Sequence, residues 1–196
     1  AIRMLEQEGL AVTVPRKGAE VAKMTEKDME DVLVVRAALD GLAVELACDN
    51  ITAEQLEQLQ NAEKEFGACI QDCDLKKIAE ADVEFHEVIY HATGNARLVT
   101  MLSNLREQMY RYRLEYIKDE DKRQILIVEH EHILAAIKAR NIAEAKNAAR
   151  EHIDNQAIVE GISKRDKKHV AEVMQSHVYN QAEAVKNMIR EQEANE

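Results

Sequence analysis

From residue 25 onward, apolar positions recur every three to four residues, the spacing that gathers them into a stripe along one side of an α-helix. In residues 75–92, for example, Ile78, Ala81, Phe85, Val88 and Ile89 share one face. Gly94-Asn95, Asp119 and Asn141 interrupt this periodicity, which predicts helices at 26–48, 53–71, 75–92, 96–117, 121–139, 143–160 and 167–192. Thr25 with Asp28, and Thr52 with Gln55, have the spacing of capping boxes. The first 22 residues break the pattern. Residues 1–8 read as the end of an amphipathic helix stopped by Gly9. Val12, Val14 and Val21 then flank a Pro15-Arg16-Lys17-Gly18 turn, which predicts a β-hairpin with a basic tip. The expected fold is all-α: an antiparallel helical bundle preceded by a helix end and a hairpin.

Composition sharpens this picture. Hydrophobic residues make up 46% and charged residues 32% of the 196 positions, which suits one soluble globular domain with a small appendage. One proline and six glycines fit a nearly all-helical chain. A net charge of −11 argues against the whole chain clinging to nucleic acid, but leaves room for a basic module at one end. Cys48, Cys69 and Cys73 form no disulfide framework and no C-x-x-C, so they read as free thiols of a reducing cytosol, with Cys69 and Cys73 as packing residues. No long apolar run or signal peptide is evident, so the expected location is cytoplasmic without a membrane span. The chain opens in mid-helix, which predicts that the natural protein starts earlier. Residues 137–156 and 162–181 align without gaps, matching Arg140 to Arg165 and His152 to His177. Two copies make no solenoid, so the second reads as an added helical segment.

Against this background a few polar residues stand out. Asp82 and His86 lie four apart along the edge of their apolar stripe, so both can reach one ion. His130 has Leu126, Ile127, Ile133, Leu134 and Ile137 around it, and His152 shares a face with Ala145, Ala148, Ala149 and Val159. An acid and three imidazoles directed inward are unfavourable unless bound, and a divalent metal is the simplest partner. The alternative is a set of core histidines hydrogen-bonded locally; periodicity does not show convergence. His91 and His132 point away from their stripes. Arg36 sits mid-stripe among Met29, Val32, Leu33, Leu39 and Ala43. It is either in a buried ion pair with Asp40 or Glu45 or a bidentate clamp for a carboxylate ligand. Arg106 and Arg113 line one helix edge and either join it or form a solvated flank. Glu129-His130-Glu131-His132 holds one E-x-x-H, where a di-iron bundle needs two. No H-E-x-x-H, phosphate-binding glycine loop or G-x-S-x-G is present.

Several segments together are similar to a known family. They are Val35-Arg36-Ala37-Ala38-Leu39-Asp40, Asp82-Val83-Glu84-Phe85-His86, Ala92-Thr93-Gly94-Asn95, Glu129-His130 with Ile133-Leu134-Ala135-Ala136-Ile137, and Ala149-Arg150-Glu151-His152. The chain resembles a GntR-type bacterial transcription regulator of the FadR subfamily with its FCD ligand-binding domain. The resemblance implies Asp82, His86, His130 and His152 as ligands of a divalent ion, zinc or nickel, with Arg36 near a small carboxylate effector. It also implies that residues 1–22 are the end of the recognition helix and the wing of a winged helix-turn-helix. Arg3, Arg16 and Lys17 then contact operator DNA, largely through phosphate. The first two helices of that module are not in this chain, so it is expected to bind operator DNA poorly. His177 in the second repeat copy is the alternative to His152.

These readings predict a dimeric regulator with a DNA-binding remnant at 1–22, a metal- and effector-binding domain at 25–160 and an extension at 161–196. Arg36, Arg106 and Arg113 are the candidates for the effector. A metal-dependent hydrolase is the rival, since three histidines and a carboxylate also activate water, although no general base accompanies them. A metal-free helical interaction module is the third possibility.

Overall fold

The computed structural model describes residues 2–7, 11–21, 26–72 and 74–163. A short helix α1 (Ile2–Gln7) precedes an antiparallel hairpin, β1 (Ala11–Val14) and β2 (Gly18–Val21), in the register Ala11 to Val21 and Val14 to Gly18. The Glu6 carboxylate accepts a bond from the Thr13 amide and ties α1 to β1. Arg16 and Gly18 at the tip both take positive φ, +67° and +96°. Six long helices follow: α2 (Glu26–Asn50), α3 (Ala53–Asp72), α4 (Leu75–Ala92), α5 (Ala96–Tyr116), α6 (Glu120–Lys138) and α7 (Ile142–Ser163). The helix expected at 167–192, Gly9, Thr25, Cys73 and His177 lie outside the described residues.

Local chemistry fixes the helix ends. Thr52 Oγ1 accepts from the Gln55 amide at 3.2 Å while Gln55 Oε1 accepts from the Thr52 amide at 3.0 Å, a reciprocal capping box. Asp74, Asn95 and Asp119 cap α4, α5 and α6 through their side-chain oxygens. Gly94 supplies the left-handed residue, φ +67°, that turns the chain out of α4. The observed ends coincide with the expected ones or differ by up to three residues. The α7 helix, for instance, continues to Ser163.

The α2 helix packs along α7, α4 and α5, α3 along α4 and α6, and α6 along α7. Ala145, Ala148 and Ala149 are buried on α7, where small side chains permit close helix approach. Three apolar clusters result. The largest includes Val44, Leu59, Phe85, Ile89, Leu102, Ile133 and Ile137. A second holds Phe66, Ile70, Ile78, Ile117 and Leu126, and the third Met29, Leu33, Met109 and Ile153. Among the described residues, no helix is long and apolar enough to cross a membrane.

Arg140 joins two parts of this framework. From the turn after α6, at φ +53°, it donates to the carbonyls of Asp49 and Ile51 at 3.0 Å each, and also to that of Cys48. These are carbonyls at the C-terminal end of α2, where the helix leaves its acceptors without partners. Arg140→Ala is expected to lower unfolding stability by about 1–2 kcal/mol, read from the urea midpoint at constant m-value. An unchanged midpoint would remove Arg140 from the account of the fold.

Candidate metal centre

Asp82 and His86 project from successive turns of α4, His130 from α6 and His152 from α7. All four are buried, His130 completely. One ring nitrogen from each of His86, His130 and His152 lies within 4.8 Å of the others. Asp82 Oδ1 is 3.4 Å from His130 Nε2 and 3.9 Å from His86 Nε2. The structure therefore brings the three imidazoles expected from the sequence together and sets Asp82 beside two of them, His130 and His86. His130 is fixed by its neighbours: its ring stacks on Phe85 at 4.1 Å between centroids and lies 4.5 Å from Phe66.

The hydrogen bonding of these imidazoles is incomplete. His86 Nε2 and both ring nitrogens of His130 are buried without a hydrogen-bond partner. Orphaned nitrogens at such depth are costly unless something accepts their lone pairs. Burial drives both the His86 and the His130 imidazoles below their ordinary value, against the pull of Asp82, so the neutral form prevails. For Asp82, burial acts upward, but Arg113 and the two histidines outweigh it and hold the carboxyl well below its usual range. Neutral imidazoles and an ionised carboxylate form a donor set that fits a divalent ion.

Around His152 lies a supporting layer that sequence reasoning missed. Its Nδ1 is 2.7 Å from Glu129 Oε2, and Asn155 Nδ2 donates to Glu129 Oε1 at 2.6 Å. A carboxylate can only accept, so the Nδ1 proton points to Glu129 and the Nε2 lone pair faces the Gln156 amide nitrogen. Gln156 Nε2 sits 3.2 Å from that Nε2, and Gln156 Oε1 lies 3.5 Å from Arg36 Nη1. The spacing from His152 to Gln156, one helical turn, was the available signal. Glu129 gave none, since its partner is on another helix. If the centre holds an ion, Glu129→Ala is expected to weaken its affinity about 10–100-fold in a chelator competition, through loss of this orientation. Unchanged affinity would show the contact to be incidental.

Beside Asp82 opens a pocket of about 460 Å³, part of it open to solvent. Arg36, Asp82, Tyr112, Arg113, Tyr116 and Gln156 provide its polar lining. Arg36 Nε is 3.3 Å from Asp40 Oδ2, the ion pair weighed from the sequence, while Glu45 pairs with Lys146 instead. Asp40 also accepts from the Tyr90 hydroxyl at 2.7 Å. Arg113 Nη1 lies 2.8 Å from Asp82 Oδ2, close enough to pair but not aligned as a hydrogen bond. Arg106 and Arg113 are not the solvated flank that was one of the sequence alternatives: their side chains are only 9% and 8% exposed. Arg106 is bonded to Glu87 and is not among the cavity's lining residues, so the structure does not bring it to the other two. His91 and His132 lie outward, paired with Glu87 and Glu144. Arg3 on α1 and Arg16 and Lys17 at the hairpin tip are exposed.

Residues 31–155 match the family model of the FCD domain. The chain is 30% identical over 168 residues to the HTH-type transcriptional repressor GlaR of Escherichia coli K12, covering 78% of this chain and 73% of that protein. It is 27% identical over 157 residues to YdhC of Bacillus subtilis 168, named an uncharacterized HTH-type transcriptional regulator, covering 78% and 67%. The fold is similar to that of E. coli McbR/YncC, with a TM-score of 0.75 at 19% identity over 81% of this chain and 80% of the other. The chain belongs to the FCD-domain family of GntR-type transcription regulators. It is thereby a regulator and not an enzyme, and the hydrolase alternative falls away.

Proposed function

We propose that the helical domain senses a small carboxylate through a divalent ion, zinc or nickel, held by Asp82, His86, His130 and His152. The observation that carries this reading is the convergence of three buried imidazoles, those of His86 and His130 neutral and with unpartnered nitrogens, beside the ionised carboxylate of Asp82. An ion there would supply positive charge and Lewis acidity beside the cavity that Asp82 lines. Arg36 and Arg113 line the same cavity and would clamp the effector carboxylate. Arg106, held by Glu87, is left out of the clamp.

In this reading residues 1–22 belong to a winged helix-turn-helix, residues 25–160 form the sensor and residues 161–196 extend it. Arg3, Arg16 and Lys17 would meet operator phosphates, and two copies of the protein would span two half-sites. Effector binding shifts the population of domain arrangements and so the fit to the operator. Elemental analysis of the purified, untagged protein tests the base of this scheme. About one ion per chain is expected. None, even after incubation with zinc or nickel, would overturn it.

A further inference from the structure

The polar side of the cavity is short of acceptors. Arg36 Nη2 and the Tyr116 hydroxyl are buried without hydrogen-bond partners, while Arg36 Nε and Arg113 Nη1 meet Asp40 and Asp82 only in ion pairs not aligned as hydrogen bonds. Of the acceptors lining it, Asp82 lies at ion-pair distance from Arg113, His86 and His130, though its Oδ2 has no aligned hydrogen bond, and Gln156 Oε1 faces Arg36. Tyr116 adds a hydroxyl oxygen that is itself without a hydrogen-bond partner. The rest of the lining is apolar and comes from two separate clusters: Met29, Leu33 and Met109 from one, Ile117 and Leu126 from the other. Two of these are methionines, which adapt to irregular apolar shapes.

Such a site satisfies a carboxylate, which only accepts, and strands hydroxyls, each of which carries a proton that needs an acceptor. A hydroxyl stripped of water against Leu126 or Met109 loses its bonds without replacement. We infer that the effector is a monocarboxylate with a compact apolar body, and not a polyhydroxylated sugar acid. This rests on the proposed carboxylate-sensing role and specifies its ligand. The carboxylate lies toward Arg36, Arg113 and Tyr116, and the hydrocarbon lies between the two apolar clusters.

The test compares 4-methylpentanoate with gluconate, acids of six carbons each, and with acetate as the bare head group, on the zinc-loaded protein by calorimetry and thermal shift. The expected result is that 4-methylpentanoate binds at least about tenfold more tightly than gluconate. Met109→Gln, which keeps the side-chain length and adds an amide to the apolar wall, should erase most of that preference. Gluconate binding as tightly or more tightly, or an unaltered preference in Met109→Gln, overturns the inference. If acetate binds while gluconate ranks first, only the apolar body is wrong. If none of the three acids binds, the carboxylate-sensing role fails and the inference with it.

Discussion

His130→Leu is expected to abolish metal binding while leaving the metal-free protein as stable as its parent or more so. The imidazole sits between Phe66 and Phe85 with neither nitrogen hydrogen-bonded. Leucine removes two buried nitrogens that lack an aligned hydrogen bond, one of them 3.4 Å from Asp82 Oδ1, and keeps most of the apolar volume, an exchange that is often neutral or stabilising. The parent protein should behave differently when zinc is added. At a free concentration about a thousandfold above Kd, binding to the folded state alone stabilises by about 4 kcal/mol. For a chain of this size that corresponds to a rise in Tm on the order of 10 °C. Calorimetric melting with and without zinc reads both effects. A zinc response retained in His130→Leu would remove His130 from the ligand set. A large loss of stability in the metal-free variant would identify it instead as an ordinary core histidine.

Arg36→Met should cost about 3–5 kcal/mol of stability, the range found when one partner of a buried ion pair is removed. The guanidinium is 1% exposed and lies beside Asp40, which it would leave with the Tyr90 hydroxyl alone. Burial works against its charge, yet Asp40, Tyr90 and Asp82 together raise its pKa, so the cation is well held. Replacing Asp40 as well, by leucine in an Arg36→Met background, removes the stranded carboxylate and should recover much of the loss. The double-mutant cycle in urea separates the pair from mere packing. Because Arg36 also lines the cavity, neither variant should respond to a carboxylate that stabilises the parent. A single-variant cost below about 1 kcal/mol would mean that Asp40 does not depend on Arg36.

These predictions draw on very different ranges of information along the chain. The helices, their caps and the hairpin arise from interactions spanning a few residues, so periodicity and capping chemistry locate them to within three positions. The same short range makes Asp82 and His86 readable as a pair, since one helical turn joins them. It also explains the outward placement of His91 and His132, which follows from the phase of a single helix.

The sequence alone also marked His130, His152 and Arg36 as polar residues in apolar stripes, because burial of a polar group is a property of its own helix face. Their meeting belongs to the tertiary structure. Whether His130 and His152 approach His86 depends on how α4, α6 and α7 are rotated and spaced, which is set by packing among residues far apart in the chain. Arg106 and Arg113 show the limit most clearly. Seven residues apart on one face of α5, they look equivalent in the sequence, yet they lie about 10 Å apart along the axis. At one level Glu87 captures Arg106; at the other Asp82 holds Arg113 beside the cavity. Glu129 meets His152 by the same kind of contact between helices. A helical pattern specifies which face turns inward, but the partner waiting there is decided by the neighbouring helix.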